Sequence, residues 1–202
     1  YYLPAVYDEA GNMRGHDWAH LSSADLNTWI EHPLALERGR HPSFGTGSIF
    51  QLDGKTIAFF SASIPGSPNT LVGRADSDDG GLTFRENEDA RFPDEATITA
   101  LGYRPIQYRD PCVFRDPATG LFHMLVTSAL QNGFDGVIYP FGACLAHLVS
   151  DDCLRWTLRP PFLRLGHRGA PECSDHFEWN GWYYLLYSQE SITYYQMAST
   201  PL

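Results

Sequence analysis

The chain has 202 residues, of which 43% are hydrophobic and 14% aromatic, enough to form one sizeable core. Its 18 glycines and 14 prolines indicate a turn-rich, all-β protein rather than a helical one. The formal net charge of −10 argues against nucleic acid or an anionic membrane as a partner, whereas a neutral substrate fits it. The sequence contains no apolar run of about 18 residues, the length that a membrane-spanning helix needs.

The predicted elements recur in the same order along the chain. Each unit starts with a strand led by glycine or an acidic residue, continues through a tight turn and ends in a strand rich in β-branched and aromatic residues. The predicted strands are residues 46–50, 56–60, 110–114, 121–126, 172–177 and 182–187, with turns at residues 53–54, 116–120 and 180–181. No helical periodicity persists, so almost no helix is predicted, and residues 86–104 and 132–141 are predicted to be long surface loops.

An internal repeat indicates how these units are arranged. Residues 20–29 and 147–156 both read H-L-x-S-x-D-x-x-x-W, and residues 75–84 form a looser copy. In each copy we expect Ser and Asp to cap a turn and the aromatic residue to pack between sheets. Repeats at this spacing are typical of radially arranged β units. The sequence therefore predicts about three consecutive blades of a β-propeller, whose first strands converge on one face.

The four cysteines are Cys112, Cys144, Cys153 and Cys173, and they form neither a C-x-x-C nor a zinc-ligand pattern. We expect buried free thiols, although a disulfide stays open. The chain begins at Tyr1 with no signal-peptide pattern, and we interpret residues 1–202 as an internal fragment of a longer catalytic domain. The compartment and the oligomeric state stay open, with an extracellular or periplasmic location favoured.

Two acidic motifs open two of the predicted strands. Arg109-Asp110 heads one strand, and Pro171-Glu172-Cys173 heads another in the following unit. Cleavage of a glycosidic bond needs one carboxyl group that donates a proton and others that face a sugar with cationic character. Apolar neighbours favour the protonated form of Glu172, whereas Arg109 favours the ionised form of Asp110. This pair of carboxylates predicts a glycosidase.

Five motifs in the correct order resemble those of family 32 glycoside hydrolases, the invertase, inulinase and levanase group. They are W-A-H-L-S-S-A-D-L-N-T-W at residues 18–29, P-L-A-L at 33–36, T-G-S at 46–48, R-D-P at 109–111 and E-C at 172–173. The resemblance covers nearly the whole chain. It implies a five-bladed β-propeller that hydrolyses β-D-fructofuranosides of the sucrose, inulin or levan type with a retaining mechanism.

The resemblance also implies roles for individual residues. Glu172 matches the general acid/base, and Asp110 matches the carboxylate that binds sugar hydroxyls and stabilises the transition state. The candidate substrate-binding residues are Arg109, Trp18, Thr46, Gly47, Ser48 and Cys173. Trp18 and residues 46–48 also have a purely structural alternative, as core packing and as the start of a strand. No cofactor and no metal site is expected.

The sequence departs from the family pattern in several places. Pro171 stands where the family has an aromatic residue, Ser174 stands where it has proline, and Gly45 precedes the T-G-S segment. The family's nucleophile motif contains Asn-Asp-Pro, which does not occur in this sequence, and neither Asp8 nor Asp17 opens a predicted strand. We therefore expect the attacking carboxylate to lie outside this chain, and the chain alone to be inactive.

Two alternative functions stay open at this stage. One is a five-bladed propeller glycosidase that acts on arabinan or xylan, although the E-C and W-x-H motifs disfavour it. The other is a carbohydrate-binding propeller that has lost catalysis.

Overall fold

The computed structural model describes residues 1–132, 142–165 and 169–201. These residues form mainly β-strands, with one six-residue α-helix, α1 (Glu95–Ala100), and a 3₁₀ turn at Pro105–Gln107. The strands are β1 (Ala5–Tyr7), β2 (Met13–His16), β3 (Leu21–Ser22), β4 (Ile30–Glu31), β5 (Phe44–Leu52), β6 (Lys55–Ser63), β7 (Thr70–Ser77), β8 (Arg85–Glu86), β9 (Arg109–Arg115), β10 (Phe122–Ala129), β11 (Ala143–Ser150), β12 (Thr157–Arg164), β13 (Glu172–Trp179), β14 (Trp182–Gln189) and β15 (Ile192–Ala198).

The strands form successive antiparallel meanders. Two sheets have four strands each, in the orders β5-β6-β7-β8 and β9-β10-β11-β12, and a third has the order β13-β14-β15. The hairpins β1-β2 and β3-β4 precede them. The first strands of the three sheets lie side by side, with β9 packed against both β5 and β13. This radial arrangement of blades confirms the predicted all-β fold and the convergence of the inner strands. Within the described ranges, no helix has the length and hydropathy to cross a membrane.

The core lies between neighbouring sheets. Strands β6 and β10 are buried over nearly their whole length because each has a strand on both sides and packed apolar side chains over both faces. The aromatic contacts between the blades include Phe59, whose ring meets Trp156 edge-on with the centroids 5.7 Å apart. Phe92 stacks on the same indole at 6.5 Å. Such ring contacts stabilise the packing of one sheet against the next.

The three repeats form the same turn. In each copy the Ser hydroxyl donates a hydrogen bond to the Asp two residues later, at distances of 3.1, 2.7 and 3.0 Å along the chain. Phe84 and Trp156 are buried, as predicted. Trp29 is 52% exposed, so the prediction for the first copy is wrong. It lies directly before β4, in the connection between the two short strands of the β3-β4 hairpin, and these two strands belong to none of the larger sheets of the described chain.

The prediction of a surface loop at residues 86–104 is also wrong. This segment contains α1, which Asp94 caps at its N-terminus, and it places Ile98 and Tyr103 in the core. A six-residue helix is too short to produce a periodic hydrophobic pattern, so the sequence could not reveal it. Most of the second predicted loop, residues 133–141, lies outside the described residues.

All four cysteines are free thiols. Cys112, Cys144 and Cys153 are buried, as predicted, and burial raises the pKa of Cys112 and of Cys144 to about 12. Cys173 is exposed, which contradicts the prediction of a buried thiol. It lies in the candidate site described below.

Histidine rings stack across the second and third sheets. His176 stacks on Phe114 with the ring centroids 3.8 Å apart, and Nδ1 of His123 lies 2.8 Å from Nε2 of His147. Burial, followed by the proximity of His123 and Arg159, lowers the pKa of His147 to about 4. The folded protein therefore keeps this imidazole neutral at a pH where an unfolded chain protonates it.

This lowered pKa predicts a loss of stability in acid. The contribution of His147 is complete above about pH 6.5 and is lost as the pH falls towards 4, because only the unfolded state binds the proton in that range. We expect His147→Gln in the full-length protein to reduce the drop in unfolding free energy between pH 7 and pH 4.5 by about 1–2 kcal/mol. Urea denaturation at several pH values measures this drop. His16→Gln, outside the stack, serves as the control, and parallel pH profiles for His147→Gln and the wild type would contradict the prediction.

Candidate active site

The inner strands β5, β9 and β13 share an irregularity close to their first residue. In each strand two residues lie opposite a single residue of the next strand, namely residues 45–46, 110–111 and 173–174. An extra residue of this kind is a β-bulge, which bends the strand and changes the direction of the side chains before it. The three bulges lie at the same end of their strands, so they define one face of the molecule.

Two of these bulges place a non-glycine residue in the left-handed region. The φ angle is +56° at Asp110 and +49° at Cys173. Asp110 and Cys173 therefore occupy equivalent positions in neighbouring blades, and Glu172 is equivalent to Arg109. Asp110 is thus the first residue of its bulge, whereas Glu172 lies one position before the bulge of its own strand. A left-handed non-glycine residue is uncommon, and such strain is often found at functional sites.

The carboxylate of Asp110 is buried and surrounded by hydrogen-bond donors. The Thr46 hydroxyl donates to Oδ1, and the Thr127 hydroxyl lies 3.1 Å from Oδ2. The backbone N–H of Cys173 donates to Oδ2 at 3.4 Å, and Nε of Arg109 is 3.6 Å away. Partners from three blades thus hold Asp110 in one orientation, which suits a fixed anion.

Arg109 connects the two acidic motifs. Its Nη2 donates to Oε1 of Glu172 at 2.6 Å, and its Nη1 donates to the side chain of Gln107 at 3.2 Å. The sequence suggested Asp110 as the partner of Arg109, but the closer carboxylate is Glu172, since the bulge turns the side chain of Asp110 away. Only 7% of the Asp110 side chain is exposed, compared with 43% of Glu172. The two acids therefore share one guanidinium but differ in their access to solvent.

The T-G-S segment has structural roles within this site. Thr46 donates to Asp110, and the Ser48 hydroxyl accepts a hydrogen bond from the backbone N–H of Val113 at 3.2 Å. A Cβ atom at Gly47 would lie 1.9 Å from the carbonyl oxygen of Phe59. Only glycine therefore allows β5 to approach β6 this closely.

A cavity of about 290 Å³ opens beside Thr46. Its size is near the lower end of the roughly 300–1,000 Å³ that ligand sites occupy. Trp18 lies in its wall and is 4% exposed, with its indole N–H donating to the carbonyl oxygen of Gly45 at 2.9 Å. The cavity is lined by Tyr1, Tyr2, Leu3, Trp18, Thr46, Gly47, Ser48 and Ile49. Four of the predicted substrate-binding residues therefore line one cavity, and one of them, Thr46, also contacts Asp110.

Cys173 lies at the junction of the acidic motifs. Its Sγ is 3.8 Å from Oγ1 of Thr46, and its N–H contacts Asp110. Partial desolvation, followed by the negative charge of Asp110, raises the pKa of the thiol. The thiol stays protonated at neutral pH, which does not suit a nucleophile.

The sequence did not reveal two further residues of the site. Thr127 and Gln107 contact Asp110 and Arg109, respectively. Thr127 is a polar residue directly after the apolar run 124–126, and a hydroxyl in such a buried strand is a signal that could have identified it. No local pattern distinguishes Gln107.

Two carboxylates that converge on one face of a β-propeller are the arrangement that a propeller glycosidase needs. The model of the glycosyl hydrolases family 32 N-terminal domain matches residues 1–200, and the chain belongs to this family. No curated protein sequence matches the chain.

Solved structures share the fold at low sequence identity. Fructan 1-exohydrolase IIa from Cichorium intybus, in complex with 1-kestose, is 18% identical with a TM-score of 0.72, covering 91% of this chain and 36% of that one. Fructofuranosidase from Schwanniomyces occidentalis, complexed with fructose, is 24% identical to this chain and has a TM-score of 0.64. The match covers 90% of this chain and 37% of that one. A family 43 β-xylosidase/α-arabinofuranosidase from a compost microbial metagenome is 21% identical to this chain and has a TM-score of 0.63. The match covers 94% of this chain and 64% of that one. The prediction of a partial five-bladed propeller is confirmed.

The close approach at Gly47 gives a testable consequence for stability. We expect Gly47→Ala to lower the unfolding free energy of the full-length protein by about 2–4 kcal/mol, because the new methyl group must displace the backbone of β6. Gly54→Ala is the matched control. Its Cβ would meet open space, so only the left-handed φ of +80° should cost about 1 kcal/mol. Equal losses in denaturant titrations of the two variants would contradict the steric explanation.

Proposed function

We propose that the full-length protein hydrolyses β-D-fructofuranosides of the sucrose, inulin or levan type with retention of configuration. The observation that carries this proposal is the single guanidinium of Arg109, which lies 2.6 Å from the half-buried carboxylate of Glu172 and 3.6 Å from the buried carboxylate of Asp110. Membership of family 32 supports a glycosidase, and two structures with the same fold contain 1-kestose and fructose. The partner is then a fructose-containing oligosaccharide or polysaccharide.

The two carboxylates have different tasks in this proposal. Glu172 is accessible, so it can protonate the glycosidic oxygen and later activate water. Glu172 must hold a proton before it can donate one, so its ion pair with Arg109 must loosen when the substrate binds, and a substrate oxygen can replace Glu172 as the acceptor for that N–H group. Asp110 keeps its donors, faces the sugar as a fixed anion and stabilises positive charge in the transition state.

The attacking carboxylate completes the mechanism. A retaining glycosidase needs a nucleophile about 5–5.5 Å from the acid. The 202 residues contain no Asn-Asp-Pro sequence. We therefore propose that the nucleophile lies outside them, that they form part of a longer catalytic propeller, and that this part alone is inactive.

Replacement of the proton donor tests the proposal. In the full-length protein we expect Glu172→Gln to lower kcat on sucrose or inulin about 10²–10⁴-fold, the usual contribution of general acid–base catalysis. Glu178→Gln is the matched control on the same strand, because the Glu178 side chain accepts the N–H of Gly181 in the turn and lies outside the site.

The same assay separates the competing substrates. The rates at which the wild-type protein hydrolyses sucrose, inulin, levan, arabinan and xylan are compared. The anomeric configuration of the first product is followed by NMR. A loss below about tenfold for Glu172→Gln would remove the residue from its assigned role. Preferential cleavage of arabinan or xylan, or the absence of any hydrolysis, would overturn the proposed substrate class.

A further inference from the structure

Thr127 lies where the two acidic motifs meet. It belongs to β10, opposite Arg109 in the register of the β9-β10 pair, and its side chain is fully buried. Its hydroxyl is 2.8 Å from the carbonyl oxygen of Pro171 and 3.1 Å from Oδ2 of Asp110. One side chain therefore contacts the carboxylate of one motif and the backbone directly before Glu172 in the other.

The number of hydrogens limits what this hydroxyl can do. A threonine hydroxyl carries a single hydrogen, whereas a carbonyl oxygen and an ionised carboxylate only accept. The hydrogen must be shared between Pro171 and Asp110 or directed at one of them. A stronger bond to one acceptor therefore weakens the bond to the other, and the hydroxyl couples the two motifs. The β-branched side chain has a restricted χ1, so the oxygen itself stays in place.

We propose that Thr127 is a positioning residue that fixes Asp110 and Glu172 relative to each other. This inference rests on the proposed glycosidase function. The Arg109 side chain also links the two acids, but it is 28% exposed and reaches Glu172 through a long, flexible chain. Thr127 provides the buried link, and it acts on the backbone that carries Glu172 instead of on the carboxylate. Its loss would remove the one hydrogen that the Pro171 carbonyl and Asp110 share.

Paired variants of the full-length protein test this role. Thr127→Val keeps the shape and removes the hydroxyl, whereas Thr127→Ser keeps the hydroxyl and removes the methyl group. We expect Thr127→Val to lower kcat on sucrose roughly 10- to 100-fold with little change in KM, the scale of a small misplacement of catalytic groups. Thr127→Ser should keep most of the wild-type kcat. Ser128→Ala is the matched control, because Ser128 is equally buried on β10 and its side chain points to the opposite face.

The comparison separates positioning from a loss of folding. Melting temperatures and the fraction of folded enzyme are measured for every variant, and kcat is expressed per folded molecule. If Thr127→Val does not fold, Thr127→Ala against Thr127→Ser makes the same comparison. A wild-type kcat in the variant without the hydroxyl, or an equal loss in Thr127→Ser, would overturn the proposal.

A structural measurement keeps this test independent of the proposed function. The crystal structure of Thr127→Val should show the Asp110 carboxylate and the Pro171 carbonyl moved from their wild-type positions, whether or not the wild type cleaves fructosides. Unmoved groups would overturn the positioning role. A wild-type protein without activity on any fructoside would instead count against the proposed function alone.

Discussion

The site depends on one extra residue near the start of each inner strand. Side chains alternate between the faces of a sheet, so an inserted residue reverses the direction of everything on one side of it. The insertions place Asp110 and Cys173 in the left-handed region, at a cost of about 1–2 kcal/mol each. Hydrogen bonds offset that cost, since the N–H of Cys173 in one bulge donates to Asp110 in the other. Neighbouring bulges therefore stabilise each other.

The mutual support of the bulges explains how two carboxylates can have different properties in one site. Asp110 is equivalent to Cys173 and is turned inward, where hydroxyl and N–H donors surround it. Glu172 is equivalent to Arg109 and stays at the mouth of the site. In the proposed mechanism the donors around the buried Asp110 need no reorganisation, whereas Glu172 must be reached by the substrate that it protonates. The offset of one position provides both environments.

The sequence predicted the parts of the structure that depend on local signals. Asp53-Gly54 and Asn180-Gly181 mark hairpins. The turns of the three Ser-x-Asp repeats follow from the hydrogen-bonding capacity of Ser and Asp. The family motifs indicated Asp110 and Glu172. The bulge offset, the pairing of Arg109 with Glu172 and the contacts of Thr127 depend on which strands become neighbours. Such long-range pairing leaves no periodic trace, and for the same reason the exposure of Trp29 was predicted wrongly.

The segment 46–48 shows why few positions need to be fixed for this site to form. Its first hydroxyl orients Asp110, its glycine admits the backbone of β6, and its second hydroxyl accepts a backbone N–H of β9. The three residues thus join two blades and orient an acid. Structures with the same fold are only 18–24% identical to this chain. The fold persists at that identity because a core needs only apolar side chains of about the right volume.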